Sequence, residues 1–478
     1  MPPALRRAVE TPQTSAAPSD TQDLEQLDEQ GVTPFHLKVL LVSGMGFFTD
    51  AYDLFVISVV AALLKSEWGL GAFQLSLVNS SATLASVIGA VVFGRVADVL
   101  GRRRIYGVEV LVLAAGAVAS ALSPSLWWLI AFRFILGLGI GGDYPVSATI
   151  MSEYAGKRSR GMLISLVFAM QAAGLVVGPI LALIFLSSSL SHDLVWRLLL
   201  ALGAIPGLAV FLLRRQIKET PRYQAAHADA PKGESPDSAG GEGMLGGFRQ
   251  LAANRRVLTW LIGAAVAWLL LDYAYYGNTV SSQLILSSLD PQQDVRRDTF
   301  LQLIIFVVAA LPGYAVAAFT LDRLGRKFVQ LLGFALMTVS FGVIAVVPGV
   351  ATAVVPFLIA YGVGYFFTEF GPNTTTFVYP AEIFPVDVRT TAHGLASAAG
   401  KLGAFVGTFA LPLLLSAFGV QGAELSVALV CAAGFAVTFL LPESRGRSLE
   451  ELEQEAGWER QQADHGSAAP APAPARAG

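Results

Sequence analysis

DVLGRR at residues 98–103 and DRLGRK at residues 322–327 are two copies of one charged loop, 224 positions apart in a chain of 478 residues. Two further charged pairs repeat in the same order and at nearly the same spacing: Glu153 and Arg160 as Glu382 and Arg389, and Glu219 and Arg222 as Glu443 and Arg445. A single charged motif of this kind is equally well explained as a solvated basic loop. Three repeated motifs in the same order indicate that the chain contains a duplicated unit.

The segments around these loops are far more apolar than those of a soluble protein. Hydrophobic residues make up 54% of the chain and charged residues only 14%, so lipid is the expected solvent. A helix needs about 20 mostly apolar residues to cross a bilayer. That pattern occurs about twelve times, six in each half. The formal net charge of −3 gives no basic excess for a nucleic acid to bind.

The basic residues lie in alternate loops, around residues 102–104, 157–160 and 323–327, whereas the intervening loops are short or acidic. The positive-inside rule then places both termini in the cytoplasm. We predict five regions: a disordered cytosolic tail at 1–33, a six-helix bundle at 34–213, a cytosolic linker at 214–256, a second six-helix bundle at 257–441 and a disordered cytosolic tail at 442–478.

The sequence predicts neither a cofactor nor a metal site. The single cysteine, Cys431, lies in an apolar run and excludes an internal disulfide. The five histidines are scattered without the spacing of metal ligands: His36, His192, His227, His393 and His465. A multipass membrane enzyme would need a soluble catalytic loop or a cluster of ligands. A protein without enzymatic activity is therefore expected.

Ionisable residues occur inside the apolar segments, where each costs at least about 2.5 kcal/mol unless it is paired or solvated in a cavity. Asp50 and Asp53 share one face of the first span. Five more follow in later spans: Arg133, Asp143, Asp272, Glu369 and Lys401. A single residue of this kind is as often a structural pair as a functional group, but seven in one bundle favour a path for an ion or a proton.

Two spans carry glycine and proline at matching positions of the repeat. We predict interruptions of the fourth span at 141–145 and of the tenth at 371–373, which make Tyr144 and Asn373 equivalent at an offset of 229. Gln171 and Lys401 correspond at an offset of 230. Interrupted helices in corresponding positions indicate a transporter's binding site between its two halves. The glycines at 137–142 formally match a dinucleotide fingerprint, but no strand precedes them, so they predict close helix packing.

In the seventh span, Trp268, Asp272 and Tyr276 follow at four-residue steps and share one face. An aromatic stripe at this spacing is usually packing. Because these rings flank a buried carboxylate, we predict a polar pocket with rigid walls.

The loop at 98–103 resembles the signature loop of the major facilitator superfamily. This resemblance implies an all-α membrane protein with twelve transmembrane helices in two pseudo-symmetric six-helix bundles, and a substrate site at their interface. Four segments are also similar to those of the phosphate:proton symporter subfamily: GFFTDAYDLFVI (46–57), GGDYPVSATIMSEY (141–154), WLLLDYAYYG (268–277) and FGPNTTTFVYPAEIFP (370–385).

The resemblance implies three sets of functional residues. The substrate-binding set is Tyr144, Gln171, Trp268, Asp272, Tyr276 and Asn373. The proton-coupling set is Asp50, Asp53, Asp143, Arg133 and Lys401. The gating set is Asp98, Arg102, Arg103, Glu153, Arg160, Asp322, Arg326, Glu382 and Arg389.

The expected function is symport of inorganic phosphate with protons into the cytoplasm by alternating access. The alternatives are a symporter of the same fold for a sugar or for an aromatic or other organic acid, and a phosphate sensor of transporter fold. No obligate protein partner is indicated, and the lipid bilayer is the expected surrounding. Only seven of the 32 basic residues are lysine, which favours a GC-rich bacterial source and its inner membrane over a eukaryotic plasma membrane.

Overall fold

The computed structural model describes residues 29, 31–215, 220, 246–289 and 295–458, and no strand occurs within these ranges. The side chains of Ser66, Ala72, Arg102, Arg104 and Val295 are not described. Most of the predicted N-terminal tail, the greater part of the predicted linker and residues 459–478 lie outside the described residues. Glu219 and Arg222 of the third repeated pair lie outside them as well.

The first repeat unit contains six apolar helices. They are α1 (Pro34–Glu67), α2 (Ala72–Leu100), α3 (Val108–Ala121), α4 (Leu126–Tyr154), α5 (Arg160–Leu186) and α6 (His192–Arg214). Thr33 begins α1 by accepting a hydrogen bond from the backbone N–H of His36, as an N-cap residue does.

The second unit repeats this order. Its helices are α7 (Arg255–Leu289), α8 (Arg296–Leu324), α9 (Arg326–Val346), α10 (Val354–Ile383), α11 (389–418) and α12 (420–437). The last two form one long helix that is divided at Gly419, where φ is +65° and ψ is −171°. Ten helices are long and apolar enough to cross a bilayer, with that long helix counted once, and α3 is a shorter apolar helix of 14 residues. The twelve predicted spans are therefore confirmed.

The two units pack against each other through two equivalent helix pairs, α2 with α11 and α5 with α8. One apolar core extends through both units. Large apolar side chains also cover the outside, where Leu122 is 72% exposed and Trp127 is 67% exposed, whereas many charged side chains are fully buried. This reversed distribution is that of a protein dissolved in lipid.

The predicted interruption of α4 is wrong, whereas that of α10 is confirmed. Helix α4 continues through Pro145 without a break, because neighbouring helices in a bundle support the turn that a proline weakens. Helix α10 contains a π-helical segment at Glu369–Asn373, and Gly371 within it has non-helical angles of φ −98° and ψ −112°. Such π segments frequently occur at functional sites.

The glycines of α4 lie where other helices touch it. A Cβ atom at Gly137 would stand 2.1 Å from the carbonyl oxygen of Ala82, and one at Gly141 would stand 2.0 Å from that of Ser86. Both contacts are with α2. The predicted role of these glycines in close packing is confirmed.

Two short helices lie in regions that the sequence analysis describes as a linker and a disordered tail. One is Gly246–Ala253 and the other is Leu449–Ala456. The second begins with a capping box between Ser448 and Glu451 and buries Leu449 and Leu452. A cap and two leucines at helical spacing are sufficient to dock this short segment onto the bundle.

Replacing Gly137 by alanine tests the α2–α4 contact. We expect Gly137→Ala to destabilise the purified protein by about 1–3 kcal/mol, because the added methyl group overlaps backbone and forces the two helices apart. The thermal unfolding midpoint in detergent measures this effect. Gly342→Ala is the matched control, since the atom nearest to a Cβ at Gly342 is 4.0 Å away. An unchanged midpoint for Gly137→Ala would contradict the described contact.

Candidate functional site

The site begins with two tyrosines that meet across the interface between the units. The hydroxyls of Tyr144 on α4 and Tyr276 on α7 are 3.2 Å apart. Lys401 on α11 donates a hydrogen bond to the Tyr276 hydroxyl at 2.8 Å, and its ammonium lies 4.0 Å from the centre of the Tyr144 ring. All three residues are at most 2% exposed. A buried cation is thus held against two aromatic rings, which partly replaces its hydration.

Amide groups extend the cluster on the other side of Tyr144. The Nε2 group of Gln171 on α5 donates to the Tyr144 hydroxyl at 2.9 Å, and Gln171 Oε1 accepts from the hydroxyl of Tyr314 on α8 at 3.2 Å. The Nδ2 group of Asn373, in the π segment of α10, donates to Tyr314 at 2.8 Å and to Glu369 Oε2 at 2.5 Å. Side chains from α4, α5, α7, α8, α10 and α11 therefore form one hydrogen-bonded cluster.

Trp268 and Asp272 complete the cluster on α7. A carboxylate oxygen of Asp272 is 3.6 Å from the Lys401 ammonium. The ring of Trp268 lies 6.2 Å from that of Tyr144, centre to centre, and packs against Gly400, where a Cβ atom would stand 2.5 Å from the indole. All six residues of the predicted substrate-binding set thus come together with Lys401. Their role as substrate ligands stays a prediction.

Asp143 takes part in a second buried charge cluster on the first unit. Its carboxylate accepts hydrogen bonds from Arg214 at 2.7 and 3.0 Å and from Ser147 at 2.6 Å. Arg214 also donates to Glu109 at 2.8 Å, and its guanidinium lies 4.5 Å from the centre of the Tyr106 ring. Two carboxylates thus share one arginine in a region with no measurable solvent exposure of Arg214 or Glu109.

Three proton-coupling residues remain: Arg133, Asp53 and Asp50. Arg133 and Asp53 are both fully buried and interact electrostatically, but neither side chain makes a hydrogen bond within the described residues. Asp50 lies within electrostatic range of Asp143, Arg214 and Lys401. Asp50 therefore interacts electrostatically with the Asp143–Arg214 cluster and with the cluster around Lys401.

Two gating carboxylates cap helices of the opposite unit in equivalent ways. Asp98, at the end of α2, accepts hydrogen bonds from the backbone N–H and the hydroxyl of Thr391 in the first turn of α11, both at 2.5 Å. Asp322, near the end of α8, accepts from the backbone N–H groups of Gly161 and Met162 in the first turn of α5, at 3.2 and 2.8 Å. A carboxylate at a helix N-terminus satisfies free N–H groups and interacts favourably with the helix dipole.

Other gating residues join the units on the same face. Arg389 donates to Glu153 of the first unit at 3.2 Å and to Glu453 of the short helix Leu449–Ala456 at 3.3 Å. Burial raises the pKa of Glu453 to about 7, although the guanidinium of Arg389 opposes this rise. The ion pair between Glu453 and Arg389 therefore weakens as Glu453 becomes protonated near neutral pH.

Arg326 and Arg160 complete the described part of the gating set. Arg326 forms a two-point hydrogen bond to Glu382 at 2.9 and 2.6 Å, and Arg160 donates to the carbonyl oxygen of Arg447 at 3.3 Å. Arg103 is exposed, and the side chain of Arg102 lies outside the described residues. We call the side of the molecule that carries loops 98–103 and 322–327 the charged-loop face.

A crevice of about 650 Å³ lies between the units at the opposite end of the helices. Its polar lining comes from α1, α2, α7, α8 and α11 and includes Ser58, Lys65, Asn79, Gln283, Asp298 and Ser416. The units are thus joined by ion pairs and helix caps at the charged-loop face and separated by a crevice at the other.

The central cluster has the chemistry of an anion site. Hydroxyl, amide and indole groups donate hydrogen bonds, Lys401 supplies a positive charge, and Asp272 supplies an acceptor. Two pseudo-symmetric helix bundles around such a cluster define this protein as a polytopic membrane transporter.

The profile of the Major Facilitator Superfamily matches residues 43–407 and 301–476. The chain belongs to the major facilitator superfamily, which confirms the resemblance of the loop at 98–103. Solved structures share its fold. The proton:xylose symporter XylE has a TM-score of 0.71 at 20% identity, covering 88% of this chain and 99% of its own. The human organic anion transporter MFSD10 has a TM-score of 0.65 at 16% identity, covering 85% and 100%. At these identities the likeness concerns the fold alone.

Curated relatives are more similar in sequence. Inorganic phosphate transporter 1-11 of Oryza sativa subsp. japonica is 35% identical over 91% of this chain and 90% of its own length. Putative inorganic phosphate transporter 1-13 of the same plant is 38% identical over 93% and 96%. Probable inorganic phosphate transporter 1-6 of Arabidopsis thaliana is 35% identical over 90% and 96%. These relatives are plant proteins, so they give no support to the bacterial source that the sequence analysis favours.

Sequence reasoning missed four residues of these clusters: Glu109, Arg214, Tyr314 and, as a site residue, Glu369. Arg214 and Arg215 form a basic pair at the end of an apolar span and look like a solvated helix end. The sequence gives no signal that one of them turns inward to Asp143. Glu369 is recognisable as a buried acid, but its contact with Asn373 depends on the π segment.

Removing the positive charge of Arg214 tests the second cluster. We expect Arg214→Gln to lower the free energy of unfolding by about 3–5 kcal/mol, because two buried carboxylates lose the one cation that hydrogen-bonds to them within the described part of the chain. Thermal unfolding in detergent measures the loss. The double variant Arg214→Gln, Asp143→Asn should recover part of it, since one buried charge is removed. The exposed neighbour provides the control: Arg215→Gln should unfold like the wild type, and equal stability of both single variants would contradict the buried assignment.

Proposed function

We propose that this protein is a proton-coupled inorganic phosphate symporter that imports phosphate into the cytoplasm by alternating access, without enzymatic activity. The observation that carries the proposal is the buried cluster of donors around the Lys401–Asp272 pair, at the interface where transporters of this fold bind substrate. The naming of the curated relatives as inorganic phosphate transporters, at 35% and 38% identity over most of the chain, supports phosphate as the anion.

The residue types in the cluster suit phosphate. Near neutral pH, phosphate carries negative charge and at least one proton, so it both accepts and donates hydrogen bonds. Tyr144, Gln171 and Asn373 donate to its oxygens, as do Trp268 and Tyr276. Lys401 neutralises part of its charge, and the Asp272 carboxylate accepts its O–H group. A site of this kind distinguishes phosphate from an anion that has no hydroxyl.

The basic loops support the proposed orientation. The charged-loop face carries Arg323 and Lys327 within the loop 322–327, so the positive-inside rule favours a cytoplasmic location for that face. Both termini then lie in the cytoplasm, and the crevice opens to the outside of the cell membrane. The ion pairs at the charged-loop face keep the inner side closed while phosphate and protons enter from the crevice.

The surroundings of Asp50 support proton coupling. Its carboxylate lies near Asp143 and near Lys401, so its protonation removes a negative charge from the approach to the anion site. Neutralisation favours loading of phosphate and then rocking of the two bundles around the filled site. Rocking separates Asp98 and Asp322 from the helix ends that they cap. Release of the proton to the cytoplasm restores repulsion and expels the anion.

Uptake into proteoliposomes tests the function. We expect radiolabelled phosphate to accumulate when the outside is acidic, to stop accumulating with a protonophore, and to be indifferent to sodium. Asp272→Asn should abolish accumulation, because the acceptor for the phosphate hydroxyl and the partner of Lys401 are lost. Asp193→Asn is the control, since Asp193 is an exposed acid paired with Arg197. Wild-type uptake by Asp272→Asn at equal protein content would remove Asp272 from the site.

Competition between anions tests the selectivity. Sulfate resembles phosphate in size and shape but has no proton at neutral pH, so it would place bare negative charge beside Asp272. A site built to bond a hydroxyl can reject an analogue that lacks it by about 10⁴-fold. We expect arsenate, which keeps its proton, to compete with phosphate uptake and sulfate in large excess to leave uptake unchanged. Strong inhibition by sulfate would show that the pocket recognises only charge and shape.

A further inference from the structure

Glu369 on α10 is a fully buried acid that has no role in the proposed coupling through Asp50. It opens the π segment Glu369–Asn373 and has no solvent exposure. Its Oε2 atom accepts the hydrogen bond from Asn373, whereas its Oε1 atom has no hydrogen-bond partner within the described residues. One oxygen therefore contacts the cluster around Lys401, and the other is free to carry a proton.

The surroundings of Glu369 supply no positive charge among the described groups that interact with it. Helix α7 faces it with Asp272 and Tyr275, α8 with Tyr314, and its own helix with Tyr365. Helix α9 meets the π segment with Gly333 and lies beside it with Gln330, neither of which is charged. An ionised carboxylate without a cation is costly in such a place. The neutral, protonated form of Glu369 is therefore the form that this conformation accommodates.

A row of polar groups leads from the crevice to the helical turn before Glu369. Tyr365 lies one helical turn before Glu369, and its hydroxyl is 2.6 Å from the hydroxyl of Thr279 on α7. Gln302 on α8 donates to the carbonyl oxygen of Thr279 at 3.5 Å and accepts from Gln283 Nε2 at 3.1 Å. Gln283 lines the crevice. The row thus runs from the crevice to the turn before Glu369, within the second unit and apart from Asp50 and Asp53.

We propose that Glu369 is a second proton-carrying group of the transport cycle, loaded from the crevice and coupled to the anion site through Asn373. This inference rests on the proposed function. With its proton, Glu369 is neutral and accepts from Asn373 only a neutral hydrogen bond, which is weaker than one to a carboxylate, so Asn373 can donate to the anion instead. After the bundles rock, the O–H bond of Glu369 breaks and the proton leaves to the cytoplasm. The carboxylate that remains attracts Asn373 and repels the anion, and a proton from the crevice restores the neutral form.

The alternative is that Glu369 keeps its proton permanently and only supports Asn373. Glu369→Gln separates the two roles, because glutamine has the shape of a protonated glutamate but cannot release a proton. In proteoliposomes, proton entry recorded by a trapped pH dye and uptake of radiolabelled phosphate give the number of protons per phosphate. We expect this ratio to fall by one in Glu369→Gln, because the variant carries one proton fewer in each transport cycle.

Glu424 on α12 provides a matched control. It is as fully buried as Glu369, accepts one hydrogen bond from an asparagine amide, Asn278 Nδ2, at 3.3 Å, and its Oε1 atom also has no partner within the described residues. Among the described residues, Glu424 makes no hydrogen bond to the cluster around Lys401. Glu424→Gln should keep the wild-type ratio. An unchanged ratio in Glu369→Gln, or an equal fall in both variants, overturns the proposal.

The outcome for the wild type distinguishes this inference from the proposed function. Phosphate flux in the wild type together with an unchanged ratio in Glu369→Gln overturns only the role of Glu369. Absence of phosphate flux in the wild type overturns the proposed function and this inference with it.

A second measurement applies if Glu369→Gln does not reach the membrane. A hydrophobic carbodiimide takes the proton of a buried carboxyl group, whose oxygen then adds to its central carbon. We expect mass spectrometry of the treated wild type to find this adduct on Glu369 and saturating phosphate to reduce it. Adducts on other acids with none on Glu369 overturn the proposal.

Discussion

A charge inside a bundle that is surrounded by lipid must be neutralised by the protein itself, because no water is available to solvate it. The structure depends on this constraint at every level. Arg214 forms hydrogen bonds with Asp143 and Glu109. Lys401 lies beside Asp272 and two tyrosine rings, and Arg326 forms an ion pair with Glu382. Each pair joins different helices. The ionisable residues, which make insertion of the chain into the bilayer less favourable, therefore also fix the relative positions of its spans.

The same constraint makes the contact between the bundles reversible. Asp98 and Asp322 do not form hydrophobic seals; each satisfies N–H groups at the start of a helix in the other unit. Water can replace these hydrogen bonds when the face opens, so the net free energy of each is modest. A face held by such contacts opens without unfolding either bundle. Protonation or binding at the centre has only to outweigh a few hydrogen bonds to change the conformation.

Much of this architecture follows from the sequence. The repeat of the charged loop, the apolar spans and the residues Trp268, Asp272 and Tyr276 at helical spacing predict the twelve helices and one wall of the cluster. Equivalent positions in the two units predict that Tyr144 and Asn373 face one centre. The sequence pattern could not predict that α4 is continuous, because a proline that follows two glycines is typical of a broken helix. Close contacts of those glycines with α2 keep the helix continuous instead.

The sequence by itself determined the membrane environment, the duplicated unit and the residue types at the interface, because hydrophobicity, helical periodicity and repeat spacing are properties of the chain. Only the tertiary structure decided which charges meet. Arg214 reaches Asp143 across 71 positions of the chain, and Glu369 reaches Asn373 through a π-helical turn. The physical reason is that a buried charge is stabilised by groups within a few ångströms of it, and helices from distant parts of the chain supply those groups.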